Sequence, residues 1–114
     1  MKVSDLASMD QFICMQNEYE DREITAGYTS DLLSDVMGNA EEGSVLITIQ
    51  AHKNTVAVSS LAGIAAIIIC NNRPLPEDML AASADEGIAV FQTSENQFNT
   101  SALIAQHLGG CSAV

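Results

Sequence analysis

The stretch Ser44–Thr93, SVLITIQAHKNTVAVSSLAGIAAIIICNNRPLPEDMLAASADEGIAVFQT, decides the fold. SVLITIQ and IAVFQT are short apolar runs rich in β-branched residues, and IAAIIIC is apolar throughout, as a strand buried on both faces should be. Between them, NTVAVSSLAG has helix length, with Asn54 or Thr55 to cap its start and Gly63 just past its end. RPLPEDMLAASADEG puts Pro76 in a first helical turn, Glu77 and Asp78 at the positive end of the helix dipole, and Gly87 at C′. Strands alternating with helices require parallel pairing through right-handed crossovers. The expected fold is therefore α/β, a layered sandwich of two or three layers with a mainly parallel sheet built from βα repeats.

The pattern extends outward from this block. ENQFNTSALIAQHL reads as a final helix with Phe98, Ala102, Ile104, Ala105 and Leu108 inward, followed by a short tail. Upstream, KVSDLASM offers Ser4 as a cap before Leu6 and Met9, and FICMQ and EITAGYT are strand candidates. SDLLSDVMG reads as a short helix with Leu32, Leu33, Val36 and Met37 at helical spacing, capped by Thr29 or Ser30 and ended by Gly38. With 114 residues the chain is expected to form one domain over 1–108, with a flexible tail at 109–114.

Charge narrows the function. Fifteen acids against four bases give a formal charge of −11, a field that repels phosphate backbones and anionic lipid, so neither nucleic acid nor membrane is an expected partner. The longest apolar run, Ile64 to Cys70, is far shorter than the roughly 20 residues of a bilayer span. An odd count of three cysteines without paired spacing suits reduced thiols, and the expected location is cytoplasmic.

Ligands of parallel α/β sheets sit beyond the carboxyl ends of the strands, where helix N-termini gather. Three loops are expected there: Gln50 to Asn54, Asn71 to Arg73, and Ser94 to Asn96. Of the four fixed cations, Lys2, Arg22, Lys53 and Arg73, two fall in these loops beside His52. Gln50, His52, Lys53, Asn54, Asn71, Asn72 and Arg73 are accordingly the candidate ligand-binding residues, for a small anionic effector such as a phosphate or nucleotide. Such a ligand should meet Lys53, Arg73 or the helix starts at Asn54 and Glu77. Plain loop polarity accounts for the same residues more simply.

No phosphate loop, HExxH, G-x-S-x-G or dinucleotide fingerprint occurs, so no catalytic residue is assigned. Cys14, Cys70, Cys111, His52 and His107 lack the spacing of metal ligands, and no metal or cofactor is assigned either. The alternative reading is a small enzyme or phosphotransfer protein in which Cys70 meets His52 across neighbouring strand ends. Against it, Cys70 is equally well a small core hydrophobe. The acids Glu18, Glu20, Asp21 and Glu23 read as a solvated loop.

In DREITAGYTSDLLSDVMGNA, Asp21 to Ala40, the residues Asp21, Arg22, Thr25 and Gly27 match the spacing that names the DRTGG domain. GYTSDLLSDVMGNAEEGSVLIT, AIIICNNRPLPEDMLAASADEGIAVFQT and the closing helix keep that family's order, so the resemblance covers about Val3 to Leu108. Two departures stand out: Ala26 replaces the motif's first glycine, and QAHKN follows VLITI where family members often carry Gly and Asp-Arg.

The family occurs as a regulatory insert in some inorganic pyrophosphatases and beside phosphotransacetylase domains, and is similar to the N-terminal domain of HPr serine kinase/phosphatase, whose phosphate loop lies in a different domain. Stand-alone versions occur beside iron-only hydrogenase and electron-transfer genes. The resemblance implies a non-catalytic regulatory or interaction module that forms a homodimer and senses a ligand or partner protein.

The physics of the motif agrees with an ordering role. The Arg22 fork could hold Asp21, Asp31 or a carbonyl, Thr25 can bond local backbone, and Gly27 permits close approach. The helix from Asp31 to Met37 is the expected interface.

Overall fold

The computed structural model describes residues 1–109; the expectations for the rest of the tail, and for Cys111 as a ligand, lie outside the described residues. The chain runs α1 (Val3–Ala7), β1 (Ile13–Gln16), β2 (Ala26–Thr29), α2 (Leu33–Asn39), β3 (Ser44–Thr48), α3 (Lys53–Ala62), β4 (Ala66–Ile69), α4 (Glu77–Glu86), β5 (Ala89–Gln92) and α5 (Gln97–His107). The strands form one sheet in the order β1-β5-β4-β3-β2. β2 to β5 are parallel, and β1 joins β5 antiparallel.

Strand alternation sorts the core into two halves. Val45, Ile47, Ala66, Ile68, Ala89 and Phe91 face α1 and α5, meeting Val3, Leu6 and Ile104. Leu46, Ile67, Ile69 and Val90 face α2, α3 and α4, meeting Val36, Val56 and Met79. The result is the expected α/β sandwich, in three layers. Ile64 to Cys70 is buried throughout because β4 lies in the middle of the sheet with helices on both faces. Gly63 and Gly87 end α3 and α4 in the left-handed conformation, as expected.

Several local expectations are corrected. On α5, Phe98 is 79% exposed and Ala102 is exposed, while Thr100 and Ile104 are buried and Leu103 and Leu108 pack on the core. The cause is polar anchoring: Gln97 bonds to Asp31 beyond the end of β2 and Ser101 to Thr29 on it, which fixes the helix rotation and turns Phe98 outward. Helix α1 starts at Val3 rather than after Ser4, whose N–H donates to the Asp21 carboxylate. Helix α3 is capped by His52, not by Asn54 or Thr55; its Nδ1 accepts the Asn54 N–H at 3.0 Å. Helix α2 starts after Leu32 without a side-chain cap and runs through Gly38 to Asn39.

The signature residues lie around the amino ends of the strands. Asp21 Oδ1 accepts the Ser4 N–H at 2.8 Å, which holds its carboxyl below the usual carboxylate range. Of the partners considered for Arg22, the carbonyls prevail: its guanidinium donates to Gly63 O and Ile64 O, both at 3.2 Å. Gly43 donates to Gly63 O at 2.8 Å and accepts the Thr25 N–H at 3.1 Å, so the starts of β2, β3 and β4 meet there.

Gly43 has φ +86°, and a Cβ on it would stand 2.8 Å from Thr25 Oγ1. At Gly27 the nearest atom to an added Cβ would be 3.7 Å away, so no tight approach exists there. Gly43→Ala should therefore cost about 1.5 kcal/mol of unfolding free energy, the scale of a strained left-handed residue. Gly27→Ala should stay within about 0.5 kcal/mol of wild type. Equal losses for the two in urea unfolding would contradict this assignment.

Candidate functional site

Because β2 is parallel to β3, the carboxyl ends of four strands form one rim. Its fixed point is Asp31, directly after β2. Asp31 Oδ1 accepts the Thr48 hydroxyl at 2.8 Å and the Ile49 N–H at 2.9 Å, and Oδ2 accepts Gln97 Nε2 at 3.1 Å. Its carbonyl accepts Gln50 Nε2 at 3.0 Å. Burial works against the charge of this half-buried carboxylate, but the bonds from Ile49, Thr48 and Gln97 and the positive charge of Arg73 outweigh it. The carboxyl is held below its ordinary range. One side chain thus ties β2, β3 and the first turn of α5 together.

The seven candidate residues all lie along this rim, but they are not equally free. Gln50 is committed to Asp31 through its amide, and its carbonyl takes the Thr55 hydroxyl at 2.7 Å. His52 and Asn54 are joined by the helix cap. Asn71 and Asn72 have φ of 62° and 52°, a left-handed pair that lets their N–H groups reach Glu95 O and Thr93 O at 2.9 and 2.8 Å. Asn tolerates this conformation better than most residues, so these two asparagines shape the loop. Lys53 and Arg73 are exposed, and the salt bridge found among the described residues joins the Met1 amine to Glu23 elsewhere.

The helix starts differ as anion sites. Helix α4 carries Glu77 and Asp78 in its first turn, which already balance its dipole, so the contact expected at Glu77 is disfavoured. Helix α3 opens with Lys53 and has no acid in that turn, which makes it the better anion terminus.

Cys70 and His52 do not form a pair. The thiol is buried on the α5 side of the sheet, where Sγ donates to Thr100 Oγ1 at 3.5 Å, whereas His52 starts α3 on the other side. Burial pushes the Cys70 thiol up, Thr100 opposes this, and the Asp31 charge adds to it, so the nucleophilic thiolate is disfavoured. Among the described residues no three His, Cys, Asp or Glu side chains converge as a metal site would require.

A cavity of about 300 Å³ lies between α5 and the edge strand β2, lined by Gly27, Thr29, Ile47, Ser101, Ile104, Ala105 and Leu108. Thr29 and Ser101 share a hydrogen bond of 2.7 Å on its wall. No described helix is long and apolar enough to cross a membrane.

Asp31, Thr48 and Gln97 were missed as rim residues by the sequence reading. The signal was available in the position of Asp31 at the end of a strand candidate, but only the parallel placement of β2 turns that position into a fourth rim loop.

No protein-family model matches the chain, and no curated protein sequence does. A similar solved structure is the crystal structure of the CBS and DRTGG domains of the regulatory region of Clostridium perfringens pyrophosphatase, complexed with the activator diadenosine tetraphosphate. The TM-score is 0.69 at 11% identity, covering 90% of this chain and 45% of that one. The likeness is one of fold, and this chain spans less than half of its neighbour's length.

Proposed function

We propose that the chain is a non-catalytic regulatory module of the DRTGG type, a cytoplasmic homodimer over residues 1–108 that binds a small anionic effector such as a nucleotide. The observation that carries the reading is the pair Lys53 and Arg73, exposed on adjacent rim loops of a chain with formal charge −11. The nearby Asp31 is engaged by three donors and the acid-free first turn of α3 lies beside Lys53, so the rim offers an anion local attraction. The fold neighbour is a regulatory region in complex with a dinucleotide activator, which supports the same class of ligand. An accessory role beside hydrogenase or electron-transfer proteins belongs to this reading through the signature resemblance. The buried, Thr100-bonded thiol of Cys70 disfavours the enzyme alternative.

A thermal-shift screen of nucleotides and phosphorylated metabolites tests it. A ligand at 100 times its Kd should add roughly 2.7 kcal/mol of stability. The gain should disappear in a Lys53→Ala/Arg73→Ala variant. Stabilisation by no compound, or stabilisation that survives the double substitution, would overturn the effector assignment.

A further inference from the structure

The sheet has two edges, and they are treated differently. The β1 edge is broken by a register shift between Cys14 and Gln16 and is followed by Glu18, Glu20 and Asp21. Bulges and charges of this kind keep an edge from pairing with another chain. The β2 edge pairs in unbroken register with β3, and no charged residue occurs from Ile24 to Ser30. With the Ser30 N–H directed at Ile47 O in register, alternation along a parallel strand turns the N–H and C=O of Gly27 and Thr29 outward.

Apolar surface flanks that edge on both faces. On the α5 side, Phe98 is 79% exposed and projects from the helix side that carries Ala105, a cavity-lining residue. On the α2 side, Leu32 and Met37 are 64% and 43% exposed. These are three of the five exposed large apolar side chains among the described residues. The acids that bracket this strip are occupied: Asp31 by Thr48, Ile49 and Gln97, Asp35 by the Tyr28 hydroxyl and Asn39, and Glu23 by the Met1 amine.

We infer that the β2 edge is where a second copy of this chain docks, by antiparallel pairing of β2 with its counterpart across a two-fold axis. A copy carrying −11 can approach another with least repulsion at an uncharged strip, and a two-fold interface must be complementary to itself. The geometry supplies that complementarity. Helix α5 runs back along β2, from Gln97 and Ser101 near Asp31 and Thr29 to Leu108 near Gly27. Reversing one copy therefore lays each Phe98 against the Gly27, Ala105 and Leu108 end of the other copy's cavity. Ten strands then form one sheet. The inference rests on the dimer part of the reading above and specifies its surface.

Light scattering on the full chain across a concentration series tests it with three variants. Wild type is expected at twice the 12.1 kDa chain mass. Phe98→Asp and Thr29→Lys should raise the dimer dissociation constant about thirtyfold or more, as loss of a buried anchor or an edge charge does, with unchanged circular dichroism. Leu61→Asp, on an equally exposed apolar residue of α3, should stay dimeric. A dimer that survives both edge substitutions overturns the β2 assignment and leaves the dimer reading standing. A monomeric wild type overturns both and leaves the edge to a peptide from another protein.

Discussion

Replacing Asp31 with alanine should destabilise the protein by about 3 kcal/mol, because it removes the acceptor for three donors at once. The Ile49 N–H, the Thr48 hydroxyl and Gln97 Nε2 would all lose their partner. The loss is smaller than three separate bonds would suggest, since neighbours in one network are not additive. Asp31→Asn should cost about half as much: an amide oxygen can still serve Thr48 and Ile49, but its NH₂ would face the NH₂ of Gln97. Urea unfolding near neutral pH reads both values, and an alanine variant within about 0.5 kcal/mol of wild type would refute the network's role.

The same residue sets a pH response. The Asp31 carboxyl is held low in the folded protein, so its contribution is present above the unfolded carboxylate pKa of about 3.9 and is lost as pH falls through the depressed folded value. Asp21 and Asp35 are shifted in the same direction, by Ser4 and by Tyr28 respectively. Stability should therefore fall on acidification, and Asp31→Asn should make that fall shallower. An unchanged acid slope in the variant would show that Asp31 is not among the groups responsible.

The α/β class was legible because aliphatic runs such as Ile64 to Cys70 can be satisfied only by a strand covered on both faces, and because Gly63 and Gly87 punctuate the helices. What periodicity could not supply was rotation and partnership. Phe98 and Ile104 look equivalent on an apolar stripe; the bonds of Gln97 and Ser101 decide which is buried. Nor could periodicity show that His52 caps α3, since a cap is a local bond to a backbone N–H two residues on, which any polar loop residue before a helix can make. Cys70 and His52 end up on opposite sides of the sheet because strand alternation turns Cys70 toward α5, whereas His52 starts α3, which packs on the other face. Asp31 was hidden for a topological reason: the β2 loop joins the rim only once β2 pairs parallel with β3.

Arg22→Ala should also cost about 3 kcal/mol, and Arg22→Lys should recover less than half of it. The guanidinium addresses two consecutive carbonyls, Gly63 O and Ile64 O, with separate nitrogens, a match that depends on its planar fork. An ammonium keeps the charge but is a single point, and it would leave one carbonyl poorly served. A lysine variant as stable as wild type would mean that charge alone is at work. The residue also sits where Gly43 and Thr25 bring the starts of three strands together, so loosening it should lower cooperativity of unfolding as well as its midpoint. This junction is at the opposite end of the sheet from Lys53 and Arg73. Arg22→Lys should accordingly shift the melting temperature while leaving the affinity for an anionic effector unchanged, and Lys53→Ala should do the reverse. If both substitutions moved affinity together, the signature and the rim would have to be parts of one site, against the separation that the parallel sheet imposes.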